Sequence, residues 1–299
     1  MKYNYEFFEN LPEDLYPIYM RKFYKEIMSI PNLPSKQGER RLNLDKPKLL
    51  SEKIQWLKLY DSTPLKTQCA DKIKVVDWCK ERIPELKFAK IYSMADSFEE
   101  LDFYQCPERF VIKTNHACKQ MVREDSKTNL LTTEEGKIRL ENYAKKFNFW
   151  LSRHFAFDYL FELHYKDIQR KVFLQEYIEN PNSPNGYLEY KVNCFNGEPV
   201  FLEYYNDDNE LFICDTKGKQ LDFIYLPFRK MAHPKLPANF EKMVEYARIL
   251  AKDFKLVRVD FFEHLGELYL SELTFTPYSG FMEFSPLEYD YKIGAMLQL

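Results

Sequence analysis

Apolar positions in the first third of the chain recur at helical spacing. Across residues 50–60, Ile54 and Leu57 share one face with Trp56 beside them, and Ser51 stands where an N-cap belongs. A second helix is predicted over 71–82, stopping before Pro84. Residues 1–66 are helical in flavour but broken by a polar, proline-marked stretch from Pro31 through Pro47. Residues 109–115 then read as a short buried strand. From Thr132 or Thr133 a charged–apolar mixture through Trp150 predicts one or two helices.

After Lys171 the period drops to two. Residues 172–178 predict a strand, closed by the turn-rich run 180–186. Strands over 187–195 and 199–205 join through Asn196-Gly197, the strongest short hairpin signal in the chain. A strand over 210–214 and a helix near 238–254 follow. The last hairpin pairs 256–262 with 267–273 around His264-Leu-Gly266. The plan is a helical start, a βαβ-like middle and a mainly antiparallel α+β end, without internal repeats.

Composition narrows the chemistry. With 43 Lys+Arg against 46 Asp+Glu the net charge is −3, which gives no reason to expect nucleic acid. A total of only 8 glycines excludes a Walker P-loop and a GxGxxG turn, both of which need several glycines close together. A bound phosphate must then be held by side chains and strand-end amides. The 6 cysteines show no CxxC pair and read as reduced thiols of a cytosolic protein, and the 5 histidines are too scattered for zinc. No run approaches the ~18 apolar residues of a transmembrane segment, and no apolar signal core opens the chain.

Candidate chemistry concentrates in the last hairpin. Alternation puts Arg258 and Asp260 on one face, and pairing across Leu265 brings Glu272 to the same face. Asp260 and Glu272 then offer oxygens to one divalent cation. The plain alternative is an Arg258–Glu272 salt bridge beside a solvated Asp260. Three lysines precede this hairpin: Lys72 after Asp71, Lys113 inside Phe-Val-Ile-Lys, and Lys191 inside Glu-Tyr-Lys-Val. A lysine within an apolar strand needs a partner, and a polyphosphate provides one.

The strings Glu52-Lys-Ile-Gln-Trp-Leu-Lys-Leu-Tyr-Asp61, Ala70-Asp-Lys72, Arg109-Phe-Val-Ile-Lys-Thr-Asn-His116, Leu174-Gln-Glu-Tyr-Ile178, Glu189-Tyr-Lys-Val-Asn-Cys-Phe-Asn-Gly197, Arg258-Val-Asp-Phe-Phe262 and Ser271-Glu-Leu-Thr-Phe275 occur in this order. In order and spacing they resemble the ATP-grasp superfamily, and more closely its TupA-like branch of teichuronopeptide and capsule biosynthesis. The resemblance runs from about Leu50 to the C-terminus. It implies an α+β fold of two lobes clamping ATP, divided here as a helical segment 1–66, a small lobe with hinge strand 67–180, and a large lobe with the metal site 181–299.

By the same resemblance Lys113 meets the α- and β-phosphates, Lys72 lies along the ATP cleft, and Lys191 reaches in from the large lobe. Gln175, Glu176 and Ile178 form the hinge strand that reads adenine. Asp260, Glu272 and Thr274 hold magnesium or manganese, and Arg258 neutralises the transferring group, with Lys191 beside it in catalysis. Two positions depart from the pattern. The branch's usual Asn-His-Gly-Ser-Gly is Asn115-His-Ala-Cys-Lys119 here, which loses two glycines but adds a lysine charge. Thr274 stands where asparagine is common and offers a shorter neutral oxygen.

The implied activity is an ATP-dependent carboxylate–amine ligase working through an acyl-phosphate in the cytoplasm. Its partners would be a small molecule or oligosaccharide bearing a carboxylate, a uronic acid of a surface polysaccharide, together with an amino acid or small amino alcohol. Other readings are a glycosyltransferase using Asp207-Asp208, a sugar kinase on the same fold, and a non-catalytic glycan-assembly partner. ATP-site residues alone do not identify the acceptor.

Overall fold

Period-two alternation resolves into separate sheets in the computed structural model, which describes residues 5–28, 42–158, 161–179 and 188–299. The smaller sheet contains β1 (Ile91–Ala95), β2 (Phe110–Thr114), β3 (Met121–Glu124) and β4 (Val172–Glu176) in the order β1-β4-β2-β3. Every neighbouring pair is antiparallel. It follows that β3 and β4 run parallel on either side of β2. Between them lie α6 (Lys127–Thr132) and α7 (Glu134–Leu151), so the βαβ-like middle is a split crossover. The Thr133 side chain caps α7 by accepting the Gly136 amide. A β-carbon at Gly136 would lie 2.0 Å from the Asn129 carbonyl oxygen, so only glycine fits that corner.

Phe110, Ile112, Val172 and Leu174 pack with Leu130 and Phe147 beneath these helices. The alternate positions, Val111 and Lys113 on β2 with Phe173 and Gln175 on β4, are therefore left facing away from them.

The larger sheet is built from β5 (Tyr190–Phe195), β6 (Glu198–Tyr205), β7 (Glu210–Asp215), β9 (Arg229–Lys230), β10 (Leu256–His264) and β11 (Glu267–Thr274). Their spatial order is β11-β10-β5-β6-β7-β9. Both predicted hairpins form. Asn196 and Gly197 have φ of 51° and 85°, and Leu265 and Gly266 have 51° and 79°, the paired positive values of a tight type I′ connection. Val192, Cys194, Val257 and Val259 cover one face against α8 (Phe240–Ala251). On the opposite face Phe195, Phe201 and Ile213 meet α3 (Leu50–Tyr60), the short pair β8 (Ile224–Leu226) and β12 (Glu283–Ser285), and α9 (Glu288–Gly294).

The first helices are α1 (Tyr5–Glu9) and α2 (Tyr16–Met28). Helices α4 (Pro64–Ala70) and α5 (Val75–Arg82) bury Cys69, Ala70, Val75 and Trp78 in the core that contains Val257 and Leu273. They pack with the large sheet. The helix expected from Asp71 begins at Val75, because the Asp71 carboxylate accepts the Ile73 amide at 2.9 Å and makes a turn instead. The division expected at 180/181 and the turn 180–186 lie outside the described residues, as do Pro31 and Pro34. All six cysteines are free thiols.

Candidate functional site

Sheet register assembles the site. Glu272 on β11 pairs with Asp260 on β10, Asp260 with Lys191 on β5, and Lys191 with Glu203 on β6. Directly opposed residues share a face, so four ionisable side chains form one row across four strands. The next row holds Thr274, Arg258 and Asn193. A bulge follows Asp260, skipping Ser271, and the Ser271 hydroxyl donates to Glu189 Oε1 at 2.6 Å. Such irregularities re-aim side chains beside functional sites.

Arg258 grips Asp260 in a two-point ion pair, with Nε to Oδ1 at 2.7 Å and a terminal nitrogen to Oδ2 at 2.6 Å. The same terminal nitrogen lies 3.3 Å from Thr274 Oγ1 and 3.7 Å from Glu272 Oε1. The plain alternative from sequence holds in one part and is corrected in the other: Arg258 does pair with Glu272, but its closer partner is Asp260, which is 0% exposed rather than solvated. Two residues on one face of one strand lie close enough for the fork to close within the strand. Burial pushes the Asp260 carboxyl up to about 6, although Arg258 and Lys191 pull it down. Burial also opposes the Arg258 charge, but Asp260 outweighs it and holds the guanidinium firmly charged.

Lys191 donates to Glu189 Oε2 at 2.6 Å and lies 3.9 Å from Asp260 Oδ2. Burial would raise Glu189, yet Lys191, Ser271 and Arg258 together hold it at about 2. Lys72 reaches the row from its turn before α5, with Nζ 3.4 Å from Glu272 Oε2 and donating to the Ala117 carbonyl at 2.7 Å. Burial works against the Glu272 charge, but Lys72 and Arg258 more than offset it.

The small sheet supplies Lys113, whose ammonium burial pulls down to about 8 while Glu189 and Glu272 favour its charge. Gln175 lies opposite Val111 on the same face as Lys113. Glu176 is differently employed: its amide donates to the Lys90 carbonyl at 2.8 Å and its carboxylate accepts the Lys90 amide at 3.0 Å. Both groups of Glu176 are thus tied to the chain at Lys90, before β1. Ile178 lies past the end of β4. In the loop after Lys113, Lys119 has φ of 59°, the left-handed region, at one of the two positions where glycine was expected.

Thr274 Oγ1 donates to Glu272 Oε1 at 2.8 Å, so its hydroxyl orients a carboxylate. Asp260 and Glu272 are hard oxygen donors, and the Glu272 side chain remains 23% exposed. No group of three or more His, Cys, Asp or Glu side chains placed to hold a metal occurs among the described residues. Both Asp260 oxygens are taken by Arg258, so the open carboxylate of the pair is Glu272; one carboxylate plus phosphate oxygens is a usual magnesium arrangement, which Asp260 would join only when Arg258 turns to the phosphates. Asp207 and Asp208 lie apart from this cluster, in the connection between β6 and β7, with the Asp208 amide bonded to the Asn206 side chain at 3.1 Å.

Sequence reasoning missed Glu189, Asn193 and Glu203, although all alternate with Lys191 or face it. It also missed Tyr278, whose ring lies 5.7 Å from the Arg258 guanidinium and whose hydroxyl donates to Glu203 Oε1 at 3.1 Å.

A family model described as TupA-like ATPgrasp matches residues 52–298. No curated protein matches the chain. Among solved structures, D-alanine–D-alanine ligase from Bacillus anthracis complexed with ATP is 15% identical over 69% of this chain and 53% of its own, with a TM-score of 0.38. The Helicobacter pylori D-alanine–D-alanine ligase is 17% identical over 82% and 66%, with a TM-score of 0.40. N5-carboxyaminoimidazole ribonucleotide synthetase from Thermus thermophilus is 12% identical over 69% and 45%, with a TM-score of 0.36. The chain spans about half the length of the first of these.

Proposed function

The chain belongs to the TupA-like ATP-grasp family, and from that premise we propose that it is an ATP-dependent carboxylate–amine ligase. In this reading a carboxylate oxygen attacks the γ-phosphorus of ATP and ADP leaves. An amine nitrogen then attacks the acyl carbon, phosphate leaves, and the amine gives a proton to solvent. The observation that carries the reading is the convergence of Lys72, Lys191 and Arg258 on Glu189, Asp260 and Glu272, with Lys113 bearing on the same carboxylates. Fixed cations of this kind are the main device for stabilising charge in phosphoryl and acyl transfer.

Lys72, Lys113 and Lys191 would face the phosphates. Arg258 would bind phosphoryl and acyl oxygens together through its fork. Gln175, the Glu176 carbonyl and Ile178 would border the adenine. Asp260 and Glu272 would hold magnesium or manganese, with Thr274 orienting Glu272; the ion, when bound, neutralises phosphate charge. The branch resemblance favours a uronic acid of a surface polysaccharide as carboxylate, and an amino acid or small amino alcohol as amine. Such chemistry draws on cytoplasmic ATP, and no described helix is long and apolar enough to cross a membrane.

The test uses ATP, Mg²⁺ and a panel of uronic acids, with hydroxylamine in place of the amine. A ligase yields hydroxamate and ADP together. ADP release stimulated by a uronic acid without hydroxamate removes the reading, and product mass then identifies a phosphate ester or glycoside instead.

A further inference from the structure

The segment 276–280, just beyond Thr274, holds a backbone shape that most residues avoid. Tyr278 and Ser279 have φ of 51° and 53°, and Gly280 follows at 70°. Successive left-handed residues that carry a β-carbon persist only where the surroundings impose them. Here helix α3 imposes them. Gln55 Nε2 donates to the Ser279 carbonyl at 2.9 Å, and Lys58 Nζ donates to the same oxygen at 2.8 Å and to Ser279 Oγ at 2.6 Å. A β-carbon on Gly280 would meet Gln55 Nε2 at 2.5 Å and Ile54 Cγ2 at 2.9 Å, so the two elements are in full contact.

Lys58 is 1% exposed, with its ammonium 4.9 Å over the Phe281 ring and its charge supported by the buried Glu162. Glu162 in turn accepts the Thr276 hydroxyl at 2.5 Å. Buried opposite charges seldom add stability over apolar packing of the same volume. Its geometric effect is the more informative one. The Ser279 carbonyl is the atom that Lys58 fixes, and the neighbouring residue Tyr278 touches both Arg258 and Glu203.

We propose that Lys58 is a positioning residue for the acyl-transfer half of the reaction: by holding the Ser279 carbonyl it sets Tyr278 against Arg258 and Glu203, and so sets the aim of the guanidinium. The kinetic part of this inference rests on the ligase reading; the mechanical part does not.

Lys58→Met alone would remove the cation that favours the buried Glu162 charge, so the variant combines Lys58→Met with Glu162→Gln, removing both charges at nearly constant volume. Mg·ATP should raise its melting temperature as much as it raises the wild type's. Amide formation should fall about 10²-fold, the scale expected when a reacting group is displaced by about 1 Å. On a Tyr278→Ala background the same two substitutions should cost almost nothing further. Additive losses, or a parallel loss of the nucleotide shift, would overturn the proposal.

Urea midpoints of the same four proteins form a second cycle that requires no turnover. Non-additive midpoints are expected, and additive ones would overturn the link between Lys58 and Tyr278. Wild-type protein that forms neither amide nor hydroxamate would refute the ligase reading instead, and the urea cycle would still decide the mechanical link.

Discussion

Lys191 stands directly across from Asp260 in the β10–β5 register, yet it gives its hydrogen bond to Glu189 at 2.6 Å and stays 3.9 Å from the Asp260 carboxylate. Arg258 has already claimed both Asp260 oxygens. The two cations thus divide the carboxylates between them.

Replacing Lys191 should expose that division. Glu189 is held at about 2 against its ordinary 4.5, so its contribution to stability is present above about 4.5 and is lost as pH falls toward 2. Lys191→Met removes the cation that holds Glu189 down. Its stability deficit should therefore be largest near pH 7 and shrink on acidification. Urea midpoints at pH 7 and pH 4 measure this, and a deficit that grows at pH 4 would contradict it.

Lys113 should take up a proton when nucleotide binds. Its ammonium lies at about 8 rather than 10.5. Between those values the folded protein binds fewer protons than the unfolded chain, so the stability of the free protein rises with pH across that window. A polyphosphate beside Lys113 favours its charged form. At pH 8 about half a proton should enter per nucleotide bound, read by titration calorimetry in buffers of different ionisation heat. Lys113→Met should abolish the uptake; wild-type binding without it would remove Lys113 from the phosphate site.

The Arg258–Asp260 pair should behave as one unit. Arg258→Met leaves a carboxylate buried without its fork and should cost about 3–5 kcal/mol. Adding Asp260→Leu should restore most of that stability in urea while leaving no ATP-dependent turnover. Recovery of activity along with stability would mean that neither group takes part in the chemistry.

At Lys119, strain and charge are separable. Lys119→Gly relieves a left-handed conformation that costs roughly 1–2 kcal/mol, offset in part by the greater freedom of glycine in the unfolded chain. Lys119→Ala keeps the strain and loses the charge. If the charge serves the nucleotide, both variants should show a smaller Mg·ATP thermal shift, while only the glycine variant keeps or raises the nucleotide-free melting temperature. Equal nucleotide shifts in both variants and the wild type would show that the charge does no work there.

The family and its α+β fold were legible in the order of the motifs, and the face shared by Arg258 and Asp260 was legible in the alternation of one strand. The apolar positions of β10 alternate without a break up to Asp260, whereas the turn at Leu265-Gly266 alone would set Ser271 opposite Asp260, and the bulge after Asp260 is what brings Glu272 there instead. Glu203 was not legible, because Asn196-Gly197 sets Phe195 opposite Glu198 but a bulge between Asn193 and Cys194 then shifts the pairing by one, so that Lys191 faces Glu203 rather than Leu202. Neither was Ser271, because the bulge that turns it toward Glu189 leaves no mark in the sequence. Nor were β1, β3, β8, β9 and β12, which run two to five residues and carry too few positions to establish a period. The left-handed pair Tyr278 and Ser279 is imposed by α3 from more than 200 positions away, with only Gly280 as a local sign.

The row that joins Glu272, Asp260, Lys191 and Glu203 also constrains how this chain can change. The neighbouring row on the opposite face is Leu273, Val259, Val192 and Leu202, all buried. A single residue inserted upstream of any one of these four positions within its strand would exchange an ionisable side chain for an apolar one and drive a charge into that apolar layer. Insertions should accordingly be confined to the connections, and relatives that have drifted far in sequence should keep the lengths of these four strands. Catalytic competence and correct strand pairing are inherited together: a protein that has lost one by slippage has no sheet left on which to keep the other.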